Sequence, residues 1–218
     1  MEIVDYDTNQ VINLMNVFRP QGAGYIPEIA AKVIAKYQFA KPPSIDDLTK
    51  DSIKFQIGKF NDVMISEFGV YNDGVIATGK CPTEVLEDFI KDVLAFAQQE
   101  LKFVPVLQKR NEIHFESKLL VKTDADLAAF LEPKAGNLIR EAIEKKIGLT
   151  YQSSGIVLDC DVDAIKTRRK PARVFIERRV GLKFEDNIFL CIAPLRTKDH
   201  LELLTALEQA ALERVKSP

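Results

Sequence analysis

Tryptophan is absent from this 218-residue chain, histidine occurs twice and cysteine three times. Cys81, Cys160 and Cys191 are odd in number and far apart, which excludes a closed disulfide framework and a Cys-x-x-Cys metal knuckle. Cys160 and Cys191 stand inside apolar strand patterns and are expected to be buried thiols. Cys81, in "GKCPTE", stands just ahead of a helix start, where a thiol's pKa can fall. A Cys–His enzyme would need His114 or His200 beside it in space.

No glycine-rich phosphate loop of the G-x-G-x-x-G or G-x-x-x-x-G-K-[ST] kind is present, and no serine stands in a nucleophile-elbow context. "QGAG" at 21–24 is too short and has no strand before it, so it reads as a connector. No cofactor is therefore expected, and the sequence leans away from enzyme chemistry. Apolar runs fall short of the roughly 20 residues that span a bilayer. The first residues, "MEIVDYD", lack the basic start and apolar stretch of a signal peptide. The expectation is a cytoplasmic protein with no membrane contact. A formal net charge of −2 argues against general binding of polyanions, so any nucleic-acid contact must come from a local basic patch.

What is present is an ordinary globular balance, 46% hydrophobic and 28% charged, enough to fill a sizeable core. Val11, Leu14, Met15 and Phe18 share one helical stripe, which predicts a helix over 9–18. A second helix carries Ala30, Val33, Ile34 and Tyr37. The proline-marked "AKPPSIDDLTK" then suggests a boundary: an N-terminal helical segment at 1–43, able to act as a docking arm, and an α+β domain at 44–218.

From residue 52 the hydrophobic period falls to two, with Ile53, Phe55 and Ile57 expected on one face of a strand. A hairpin turning at Asn72-Asp73-Gly74 follows, then a helix from Thr83 to about residue 101. "NEIHFESKLLV" is another strand, and Asp126 closes a stretch that resembles a capped helix start. Strands near 150–162, 172–184 and 187–193 precede a last helix capped by Thr197. The expected class is α+β: an antiparallel or mixed sheet of six to seven strands with helices on one face. Segments 52–101 and 150–216 share a hairpin, a strand, a proline loop, a capping threonine and a helix, and suggest an internal pseudo-repeat.

Three clusters carry candidate chemistry. Asp159, Asp161 and Asp163 alternate, and on a strand such carboxylates can share a divalent cation; the plainer reading is a salt-bridged outer face. Lys166, Arg168, Arg169, Lys170 and Arg173 belong to a stretch with seven basic residues against one acidic, 166–179, that can hold phosphate or nucleic acid. Arg178 falls on the apolar face between Ile176 and Val180, where a guanidinium needs a carboxylate. Glu67, which similarly interrupts the Val63-Ile65 pattern, is a candidate partner; otherwise Arg178 marks an interface or a cavity, or a strand bulge rotates it outward. The leading expectation is a non-enzymatic binding or scaffold protein acting as an oligomer or complex subunit. Nucleic-acid or phosphate-ligand binding is the alternative, and a metal-dependent phosphoesterase the third.

Overall fold

The computed structural model describes residues 1–15, 26–44, 52–100, 112–132, 136–148, 151–161, 165, 167 and 169–216. The order of elements is β1 (Glu2–Tyr6), β2 (Asn9–Leu14), α1 (Ile26–Tyr37), β3 (Ser52–Phe60), β4 (Val63–Tyr71), β5 (Gly74–Gly79) and α2 (Thr83–Glu100). It continues with β6 (Glu112–Lys122), α3 (Leu127–Leu131), α4 (Gly136–Ile147), β7 (Gly155–Leu158), β8 (Val174–Arg178), β9 (Ile188–Ala193) and α5 (Thr197–Lys216). The strands form one nine-stranded antiparallel sheet in the order β3-β4-β5-β2-β6-β9-β8-β7, with β1 also paired to β6. The fold is α+β, with more strands than the six to seven expected.

The sheet order is symmetric about the β2–β6 seam. On one side the chain runs β2-α1-β3-β4-β5-α2; on the other it runs β6-α3-α4-β7-β8-β9-α5. Register makes the match specific. Asn9 of β2 pairs with Gly79 of β5, and Ser117 of β6 pairs with Ala193 of β9, so Asn9 and Ser117 hold corresponding places.

The extra strands come from the N-terminus. Residues 9–14 form a strand where a helix was expected, while Phe18 lies outside the described residues. β2 lies between β5 and β6, and Val11, Ile12, Asn13 and Leu14 are all buried. A strand covered on both faces loses its two-residue period, so the Val11-Leu14-Met15 spacing imitates a helical stripe. Among the described residues of 1–43 the helix is α1, and residues 1–15 are built into the sheet rather than placed before it.

Each half has its own core on the same side of the sheet. In the first, α1 and α2 cover β2–β5 through Tyr37, Phe55, Phe68, Leu86 and Phe89. Tyr37 and Phe68 both meet Phe89 edge-on, with ring centroids 5.1 and 5.3 Å away. In the second, α3 and α5 cover β6, β8 and β9 through Leu119, Leu127, Ile176, Phe189 and Leu204. Phe115 of β6 packs on the first core while Leu119 and Val121 enter the second. These odd-numbered positions share one face of β6, so the packed helices share one side of the sheet.

One expected alternation fails at Ile57. Its φ of 58° breaks the pleat, so Phe55 and Gly58 are buried while Ile57 is 41% exposed. The same reversal on β4 buries both Ile65 and Phe68, which removes the supposed interruption at Glu67. The next turn, Asn61-Asp62, has positive φ at both positions, the backbone of a tight two-residue hairpin.

Candidate interaction face and arginine cleft

The halves are joined through their helix N-termini. The Thr83 N–H donates to Thr197 Oγ1 at 2.9 Å, and the Thr197 N–H donates to Thr83 Oγ1 at 2.7 Å. Both side chains are buried, and Ser117 Oγ lies 3.4 Å from Thr197 Oγ1. Each threonine thus satisfies an amide that the other helix leaves open. Glu84 Oε1 accepts the Lys198 N–H at 3.0 Å, and Arg196 donates to both oxygens of Glu87. These carboxylates also offset the two positive helix ends brought together here.

The opposite side of the sheet carries no helix among the described residues. Its first half is polar: Gln56, Glu67, Thr78, Gln10 and Glu116 stand in one row across β3-β4-β5-β2-β6. Burial would raise the Glu67 carboxyl, but hydrogen bonds from Gln56 and Lys54 outweigh it and hold it below the usual range. At its centre Ile12 and Leu14 are buried. Its second half is apolar and open. Val157, Phe175 and Ile192 form one row ending at Lys118, and Leu190 and Leu120 stand in the next. Val157, at the edge, is 53% exposed, and the other four apolar residues are partly exposed.

Arg178 is 6% exposed and lies on the helix side of β8 beside Phe189. The carboxylate that meets it is Asp126, not Glu67; its Nη1 donates to Phe184 O at 2.8 Å. Its guanidinium carbon sits 4.8 and 5.4 Å from the ring centroids of Phe184 and Phe189. Asp126 also caps α3 by accepting the Ala129 N–H. A cleft of about 250 Å³ opens beside this pair, lined by Asp126, Glu132, Arg140, Gln152, Ser153 and Arg178 among others.

The aspartate run is not a strand face, because β7 ends at Leu158. Asp159 binds Lys170 at 2.9 Å and Arg173 at 3.0 Å, and these contacts, Lys170 foremost, hold its carboxyl below the usual range. Asp161 follows it, and Asp163 lies outside the described residues, as do Lys166 and Arg168. Arg169 is exposed. Among the described residues no three of His, Cys, Asp and Glu converge as a cation cage.

Strand β8 ends at Arg178 rather than near 184, so Val180, expected on the apolar face, is 86% exposed, and Leu182 is 43% exposed. Cys191 is buried as expected, but Cys160 lies past the end of β7 and is only partly covered. Burial pushes the Cys81 thiol up to about 11, opposite to the lowering expected near a helix N-terminus. No protein-family model matches the chain, and no curated protein matches it by sequence. No described helix is long and apolar enough to cross a membrane.

Proposed function

We propose that this chain is a non-enzymatic binding or scaffold protein that works as an oligomer or complex subunit, docking through the open side of its sheet. The observation that carries this reading is the row Val157-Phe175-Ile192 with Leu190 and Leu120 beside it, which no described helix covers. A two-layer α+β fold buries one face of its sheet, and an apolar second face gains free energy by meeting another surface. Lys118 and Glu177 are the polar neighbours that would set register at its border. The short edge strand β7 extends the same surface. A cytoplasmic setting belongs to this reading and draws on the free thiols of Cys81 and Cys191.

Phosphate or nucleic-acid binding through the basic stretch has less support, because Asp159 already engages Lys170 and Arg173. The test is Leu190→Lys, which places a charge in the middle of the apolar face without touching either helix-side core. Loss of assembly with an unchanged far-ultraviolet dichroism spectrum supports the reading. Unchanged assembly contradicts it.

A further inference from the structure

The open face of the second half carries a block two rows deep on β8, β9 and β6. One row is Phe175, Ile192 and Lys118; the other is Glu177, Leu190 and Leu120. A half-turn in the plane of the sheet, about the point between Ile192 and Leu190, exchanges Phe175 with Leu120 and Lys118 with Glu177. Apolar places map onto apolar places, and the cation of the block maps onto its anion.

Glu177 is the polar group that its own chain leaves unmet. It is partly buried, and its carboxylate has no ion-pair or hydrogen-bond partner among the described residues. Gly155, across from it on β7, offers no side chain. A carboxylate that loses water without gaining a cation is costly, so an occupant of this face must bring one. Lys118 holds Glu116 at 2.9 Å on its own strand, and its ammonium keeps two further donors. That pair is partly exposed and is readily shared with a second carboxylate.

A two-fold contact puts the same surface on both sides, so a surface fits itself only where each charge meets its opposite. This block meets that condition. A two-fold axis lying between two facing sheets, at right angles to the Lys118–Glu177 diagonal, sets Lys118 of each copy over Glu177 of the other. Phe175 and Leu120 lie near that axis, so each meets its own counterpart. The two charges stand two strands and one row apart, roughly 12 Å, with the apolar side chains between them. The result is an apolar centre with a charged border, the composition of a protein interface. We infer that the occupant of the open face is a second copy of this chain, packed face to face across Phe175, Ile192, Leu190 and Leu120, with Lys118 and Glu177 pairing reciprocally between the copies. This names the partner for the docking role proposed above and rests on it.

The experiment is a light-scattering mass across a dilution series of the full chain, for the natural protein, Glu177→Lys, Lys118→Glu and an equimolar mixture of the two variants. The natural protein should form a dimer of the 24.6 kDa chain. Each variant alone sets like charges together at two places and should raise the dimer dissociation constant at least about tenfold. The mixture restores opposite charges at both places and should dimerise as the natural protein does, a rescue that an unrelated partner cannot give. Glu177→Lys breaks no side-chain bond within the described chain, so it decides the matter even where Lys118→Glu, which loses Glu116, does not fold. The inference is overturned if the natural protein is monomeric, if Glu177→Lys leaves the dimer unchanged, or if two folded variants do not rescue each other on mixing. A dimer lost in Leu190→Lys but kept in Glu177→Lys overturns the reciprocal pairing alone, whereas a dimer kept in Leu190→Lys overturns the docking role itself.

Discussion

Thr83 and Thr197 cap each other's helices, each accepting the other's backbone N–H on its hydroxyl across the seam between the two halves. The two threonines lie 114 residues apart, so this contact ties the two halves of the chain together. Replacing either one by alanine removes an acceptor from a buried amide of the other helix and should cost about 1–2 kcal/mol. Because the bonds are reciprocal, the double variant should cost less than the sum of the two, with a coupling on the order of 1 kcal/mol in denaturant unfolding. Additive losses would show that each threonine caps alone.

Acid should destabilise the protein through His200. Its ring is 1% exposed, its Nδ1 has no partner among the described residues, and burial lowers its pKa from 6.5 to about 4. Above pH 6.5 both folded and unfolded forms are neutral and the group contributes nothing to the pH dependence. Below that the unfolded chain takes the proton first, so stability falls toward pH 4, by about 3 kcal/mol in all. His200→Leu should flatten that limb in unfolding curves taken across the range.

The Arg178–Asp126 pair should respond asymmetrically. Asp126→Ala leaves a buried guanidinium without its carboxylate and uncaps α3, a loss of about 3 kcal/mol after allowing for the partial exposure of Asp126. Arg178→Met keeps an apolar stem between Phe184 and Phe189 and should cost less. Equal losses would mean that the charge itself adds little.

Deleting residues 1–15 should abolish folding rather than release an arm. The cut removes β1 and β2, and with them both pairings of β6 at the seam and one of the two partners of β5. Circular dichroism should show no cooperative thermal transition. A folded remainder of 16–218 would contradict the central place of β2.

What the sequence made legible was local and periodic. The helices at Thr83 and Thr197, the hairpins of the first half and the matched spacing of the two threonines follow from amphipathic stripes, turn residues and caps. β2 was hidden because burial on both faces erases alternation. Ile57 was misplaced because a positive φ in a β-branched residue has no sequence signal. The need of Arg178 for a carboxylate was visible in its apolar flanks, but Asp126 was not: it lies 52 residues away and reads only as a helix cap. The open face was invisible for another reason. Runs such as "IFLCIA" in β9 look alike whether one side or both meet a partner.

The measurement that bears most directly on the proposed role is the light-scattering mass of the purified protein at low and high salt, with nucleic-acid absorbance recorded alongside, for the natural chain and for Leu190→Lys. The account predicts a discrete multiple of 24.6 kDa at both salts, free of nucleic acid, that falls to 24.6 kDa in the variant. A natural chain of 24.6 kDa at both salts would contradict it, and a monomer that carries nucleic acid until salt strips it would move the function to the basic stretch around Arg169 and Lys170.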